Sequence, residues 1–169
     1  WARRLPGGLG IATIGACAAF GAVSGSSVAA AAAMGNVALP EMRRFGYDPK
    51  LGCGVIAAGG TLSFLIPLSL GFVVYGMLTE QSIGKLLISG ILPGAVMAGA
   101  FIACVIVLVA INPKLAPRGT EKVTFRDKLI ALKGVCEVLL VFCIVMGGIY
   151  LGFINPTEAG AIGATALFI

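Results

Sequence analysis

"GAVSGSSVA", residues 21–29, places three serines and two glycines in the middle of an apolar run that extends from residue 8 to about residue 40. That run is too long for one membrane helix and too polar at its centre to be a continuous one. Its apolar arms, residues 8–22 and 28–40, reach about 22 Å and about 20 Å at 1.5 Å per residue. Neither arm crosses a hydrocarbon core of roughly 30 Å. The stretch therefore predicts a turn between two helical arms, with hydroxyls and glycine backbone at its tip.

The whole chain sets the solvent in which that turn sits. It is 59% hydrophobic and 11% charged over 169 residues, with a mean hydropathy of +1.04. Soluble domains carry about 25% charged residues, so this is an integral membrane chain. It starts at Trp1 and ends at Ile169 within an apolar run, and reads as a piece of a longer protein. Its five cysteines (Cys17, Cys53, Cys104, Cys136 and Cys143) form no C-x-x-C pair and sit in apolar runs, where a thiol acts as a small hydrophobe. There is no histidine, which excludes imidazole metal sites, Ser-His dyads and imidazole proton relays from these residues. The net charge of +5 lies in short loops between apolar stretches. This fits the positive-inside rule and argues against nucleic acid as a partner.

A second apolar stretch covers residues 51–77. Its centre, GGTLSFLIPLSLG at residues 59–71, combines adjacent glycines, a mid-segment proline and two serines. Two half-helices joined by an unwound link suit it better than one helix. The polar loop TEQS, residues 79–82, leads to a long helix over 83–111 that is expected to kink at Pro93-Gly94. Residues 112–133 are the most charged part, with a short interfacial helix expected to begin at Thr124-Phe125-Arg126-Asp127. A further span is expected over 134–154, followed by a capped helix start at Asn155-Pro156-Thr157-Glu158.

Basic residues cluster at Arg3/Arg4, at Arg43/Arg44/Lys50 and from Lys114 to Lys133. Two spans, 51–77 and 83–111, separate the second cluster from the third, so these share a side, and the rule makes it cytoplasmic. The first cluster joins them only if residues 8–40 enter the membrane and return. The expectation is a re-entrant helical hairpin with its tip near mid-membrane. Non-helical backbone at that depth must be buried in protein or line a wet cavity.

The tip can serve chemistry in two ways. Terminal carbonyls and hydroxyls suit a hard cation, and N–H groups at a helix start suit an anion. Small residues at these positions also permit close helix packing, with serines bonding back to carbonyls. Nothing points to an enzyme or a cofactor. Ala22-Val23-Ser24-Gly25 lacks the first glycine of the GxSG of intramembrane serine proteases, and Gly84-Lys85 lacks the glycine-rich lead of a phosphate-binding loop.

Four motifs then carry a resemblance: FGAVSGSSVAAAAAMGNVALPEMRRFGYDPKL, AAGGTLSFLIPLS, VVYGMLTEQSIGKLLISGILPG and GGIYLGFINPTEAGAIGA. In order and spacing, from about Gly8 to Ala166, the chain resembles the large membrane subunit of tripartite ATP-independent periplasmic (TRAP) transporters of the dicarboxylate and sialic acid type. The resemblance implies an all-α, inverted-repeat, elevator-type symporter in a bacterial or archaeal cytoplasmic membrane. It would work with a small TRAP membrane subunit and a periplasmic substrate-binding protein, using Na⁺ as coupling ion to import an organic anion. It makes residues 1–111 the first repeat (hairpin 8–40, broken helix 51–77, arm helix 83–111), 112–133 a cytoplasmic loop and 134–169 the start of the second repeat.

It further implies an ion and substrate site formed by Ser24, Gly25, Ser26 and Ser27 opposite Gly60, Thr61, Ser63, Ile66, Pro67 and Leu68. Sodium would sit at Ser24, Ser27, Ser63, Ile66 and Leu68, largely on backbone carbonyls. Where the family usually reads G-I-L-I-P-P-S, this chain has Ser63 for the glycine and Leu68 for the second proline. The residues alone leave open an ion- or proton-coupled organic anion transporter that needs no binding protein, and a non-transporting membrane scaffold.

Overall fold

Gly25 takes the left-handed backbone conformation (φ 61°, ψ 6°), and its N–H closes the last turn of the helix before it on the Gly21 carbonyl at 2.9 Å. One residue later the chain is extended at Ser26, whose hydroxyl accepts from the Ala29 N–H at 3.3 Å and caps the next helix. A positive-φ glycine and a serine N-cap are thus enough to reverse the chain. They join α1 (Gly8–Ser24) to α2 (Ser27–Arg44) in a computed structural model that describes residues 7–66, 69–117, 140, 143–144, 147–149, 151 and 158. The expected interfacial helix at 124–127, the span over 134–154 and the helix start at 155–158 lie outside the described residues or touch them only at isolated positions.

α2 does not stop at Pro40. It runs on to Arg44, with Met42 buried beneath it. Proline removes one helical hydrogen bond, and packing of the last turn against the core offsets that loss. The chain then turns at Gly46 (φ 74°) and restarts at α3 (Pro49–Leu65), where Asp48 is N-cap and its Oδ1 accepts from the Lys50 N–H at 2.7 Å.

The start of α1 and the end of α2 lie at the same pole. The Tyr47 hydroxyl, just past α2, accepts from the Leu9 N–H at 3.1 Å and so serves as a distant cap for α1. The Asp48 N–H donates to the Leu115 carbonyl at 2.9 Å, which brings the end of the last described helix to this pole as well.

α3 lies against both arms of the hairpin, and its adjacent glycines explain how. A Cβ on Gly59 would sit 2.6 Å from the Cys17 sulfur on α1, and one on Gly60 would sit 2.9 Å from the Ala31 Cβ on α2. Neighbouring helical positions point about 100° apart. Each glycine therefore admits one arm. A Cβ on Gly21 of α1 would overlap the Ser63 side chain and Cα, so this crossing is also backbone-close.

The break in the second stretch is real, but it falls later than the glycine pair suggests. α3 is helical through Leu65, Ile66 and Ser69 are both extended, and α4 (Leu70–Leu78) follows. Gly60, Thr61 and Ser63 therefore belong to the helix and not to the link. The residue before a proline is driven to extended geometry, and Pro67 dictates the stop at Ile66.

The long third stretch divides into α5 (Ile83–Ser89) and α6 (Ile91–Ile111), parted at Gly90. Pro93 lacks an N–H, and its ring crowds the carbonyl of the residue four back, Ser89, where α5 ends. Gly90 packs on this break, since a Cβ there would sit 2.8 Å from the Leu65 carbonyl. α6 therefore runs antiparallel to α3, from the Leu65 end back to the Asp48 end. A 3₁₀ turn, Pro113–Leu115, closes the described fold. The core between α1, α3 and α6 is built from Ile14, Leu51, Val55, Leu62, Val105 and Val109, with Met42 and Tyr47. The stretches Pro49–Leu78 and Ile83–Ile111 are each long and apolar enough to cross a membrane. All regular elements among the described residues are helical.

Candidate functional site at the hairpin tip

The pole opposite Tyr47 is where the helices end. The Leu70 N–H, the first of α4, donates to the Gly25 carbonyl at 3.3 Å. This bond ties the hairpin tip directly to the interrupted helix. Around it converge two helix C-termini, at Ser24 and Leu65, and two N-termini, at Ser27 and Leu70. Helix C-termini carry partial negative charge and N-termini partial positive charge.

The individual residues divide as follows. Ser24 is exposed, and its hydroxyl accepts from the Ser26 N–H at 3.4 Å. Gly25 is buried in the turn, while Ser26 and Ser27 are half-buried. The Ser27 carbonyl faces Gly60, where a Cβ would approach it to 3.2 Å. Gly60 is thus beside the tip, but as a packing position. Thr61 is exposed and donates back to the Ala58 carbonyl at 2.8 Å, so its hydroxyl is engaged within α3.

Ser63 is fully buried and donates its hydroxyl to the Cys17 carbonyl at 2.8 Å, with a longer contact of 3.2 Å to the Gly59 carbonyl. That hydroxyl joins α3 to α1. The Ser63 carbonyl differs: residue 67 is proline, so the helix has no N–H to give it four residues on. Ile66 is half-buried and extended at the start of the link. Pro67 and Leu68 lie outside the described residues.

Ser69, one of the two serines of the broken segment but not among the residues that the resemblance places at the site, stands out. Ser69 is fully buried, makes no capping bond to α4, and its Oγ has no hydrogen-bond partner. Leaving a buried hydroxyl unpaired costs on the order of 1–3 kcal/mol, and such groups mark a bound ion, a water or a functional role. The sequence signal was a serine N-cap directly after the proline break.

Beside the tip lies an open groove of about 690 Å³, bounded by Gly25, Ser26 and Ser27 on one side and by Phe64, Leu70 and Tyr75 on the other. Its polar groups come from the starts of α2 and α4 and from the Tyr75 phenol, and its remaining surface is apolar. No cluster of three or more His, Cys, Asp or Glu side chains occurs among the described residues, so any cation here would rest on carbonyls and hydroxyls.

Interrupted helices packed beside a helical hairpin recur among secondary transporters. Comparison with known proteins agrees and narrows the class. The family described as "Tripartite ATP-independent periplasmic transporter, DctM component" matches residues 3–169, and the chain belongs to it. Among its relatives, the C4-dicarboxylate TRAP transporter large permease protein DctM of Pseudomonas aeruginosa is 42% identical over 98% of this chain and 39% of its own length. An ectoine TRAP transporter large permease protein from Halomonas elongata is 36% identical over 94% of this chain and 36% of its own length. A sialic acid TRAP transporter permease protein from Haemophilus influenzae is 33% identical over 94% of this chain and 25% of its own length. The chain thus spans about two-fifths, or less, of the relatives it matches.

Proposed function

We propose that this chain forms the first repeat and the start of the second repeat of a sodium-coupled permease that imports small organic anions delivered by a periplasmic binding protein, in complex with a small membrane subunit. Residues 8–44 form a re-entrant hairpin, and the coupling ion binds between its tip and the link after α3. The Gly25–Leu70 hydrogen bond carries this reading, because it holds two helix C-termini and two helix N-termini around one point. A cation is favoured between the C-terminal carbonyls of Ser24, Ser63 and Ile66, with the Ser27 and Leu68 carbonyls completing the set. An anionic substrate group is favoured at the N-termini of α2 and α4, which face the groove.

The donor set fits sodium. Carbonyl and hydroxyl oxygens suit a hard monovalent ion, and unwound backbone at a broken helix is where such ions bind in secondary transporters. The unpaired Ser69 hydroxyl supplies one more oxygen in the same layer. The Ser63 side chain is engaged with Cys17, so Ser63 contributes through its carbonyl.

The test is uptake of a C4-dicarboxylate, of sialic acid and of ectoine by the full complex in proteoliposomes. Accumulation should require inward Na⁺. Equal accumulation when K⁺ replaces Na⁺ would discard the coupling. A Ser27→Ala variant should keep its Na⁺ dependence, because the carbonyl is retained.

A further inference from the structure

A second cavity lies far from the tip, on the outer side of the α3–α6 pair. It is a groove of about 400 Å³ between Gly54 and Ala58 of α3 and Phe101, Cys104 and Leu108 of α6, with Lys50 at its end. Lys50, Gly54 and Ala58 follow at i, i+4 and i+8, so they form one stripe along α3. The groove exists because this stripe is small. Gly54 is exposed, and a Cβ placed on it would meet nothing within 4 Å.

Its charge is confined to one end. Lys50 is exposed and is the single charged residue in the groove wall among the described residues. Arg43, Arg44 and Lys114 belong to the same pole, where the Asp48 N–H meets the Leu115 carbonyl. The acids there are Glu41 and Asp48, and the Asp48 carboxylate is turned into the cap of α3. Among the described residues the pole is net basic, and the slot leading from it is apolar.

Size decides what fits. From Lys50 to Ala58 the groove follows α3 for about 12 Å, less than half of a hydrocarbon core of roughly 30 Å. A helix about 10 Å wide fills on the order of 400 Å³ per turn. The groove's entire volume would hold one such turn, although it runs past more than two turns of α3. A slim, extended chain matches a slot of that length and volume. A basic mouth at the headgroup level with an apolar slot one leaflet deep matches an anionic lipid.

The geometry points to an anionic phospholipid site in the α3–α6 groove: the phosphate is held at Lys50 and one acyl chain lies over Gly54 and Ala58 against Phe101, Cys104 and Leu108. This site is separate from the ion site at the tip and would stand if the sodium reading failed.

The test uses the full-length permease with its small membrane subunit in nanodiscs. The discs contain either phosphatidylglycerol or phosphatidylcholine carrying a diazirine on the acyl chain. After irradiation, peptides covering residues 50–58 and 101–108 are assayed by mass spectrometry. Labelling by the phosphatidylglycerol probe should exceed that by the phosphatidylcholine probe by about fivefold, the effect of one basic residue at an anionic headgroup. Lys50→Gln, a surface change that leaves the fold intact, should remove this preference. Gly54→Leu should fill the slot and reduce labelling of both peptides by either probe. Equal labelling by the two probes would reduce the groove to ordinary lipid-facing surface and overturn the proposal. Absence of label from both peptides in the unaltered complex would mean that the rest of the chain or the small subunit covers the groove, and would overturn it equally. A Lys50→Gln complex that retains the full preference would do the same.

Discussion

The two poles of this bundle treat their polar groups in opposite ways. At the pole of Tyr47, helix ends are tied off: the phenol caps α1, Asp48 caps α3, and the Asp48 N–H reaches across to Leu115. At the tip pole Gly25 and Ser26 cap their helices as well, but the buried Ser69 hydroxyl is left without a partner and Pro67 denies the Ser63 carbonyl its helical N–H. Both poles are built from the same kinds of residue. The difference lies in whether the donors and acceptors find each other within the chain. A pole that satisfies itself anchors the fold, and a pole that does not is the place to look for a ligand.

Substitutions can break this contrast. The largest effect is expected where the hairpin meets α3. Gly21→Ala puts a methyl onto the Ser63 side chain and Cα, and should cost about 2–3 kcal/mol and lower the thermal midpoint of the full complex in Na⁺ and K⁺ alike. Gly25→Ala comes next. A left-handed alanine costs roughly 1–2 kcal/mol, and because the Gly25 carbonyl also meets Leu70, Na⁺-driven uptake should fall further than stability does.

Tyr47→Phe removes one hydrogen bond at the anchored pole and should cost about 1 kcal/mol. Its Na⁺ dependence should be unchanged, and a changed ion dependence would erase the distinction between the poles. The smallest change in bare stability belongs to Ser69→Ala. In K⁺ its thermal midpoint should equal or exceed that of the unaltered protein, because an unpaired buried hydroxyl is removed. The upward shift given by Na⁺ should shrink, since a ligand that binds only the folded state stabilises it. A Na⁺ shift of full size in this variant would remove Ser69 from the site.

These residues also mark how far the sequence could be read. The hairpin turn was legible because its instructions are local: a glycine for the left-handed position and a serine cap one residue later. The stop at Ile66 was legible from Pro67, yet the adjacent glycines drew the expected break too early. Glycine is rare inside helices for reasons of entropy, but here Gly59 and Gly60 are selected by the two arms that lie on them, a tertiary cause that no local rule contains. Pro93 gave a bend in the third stretch, and the structure places it at Gly90, near the carbonyl that the proline ring crowds. The resemblance placed Ser63 at the ion site largely through its carbonyl and left the role of its hydroxyl unspecified. That hydroxyl is engaged by Cys17, 46 positions away in sequence. The Tyr47 cap on Leu9 was equally out of reach, and Ser69 differed from the equally buried Ser63 only once its lack of a partner could be seen.

The paired glycines have a mechanical consequence. Because α3 touches one arm through Gly59 and the other through Gly60, neither arm can slide along it without driving a Cβ or a sulfur into backbone. Close-packed contacts of this kind transmit displacement and do not absorb it. A push on the tip is therefore a push on all of Gly8 to Leu65. The Gly25–Leu70 hydrogen bond carries that push on to the start of α4, so the hairpin is a lever with two bearings, α3 and α4.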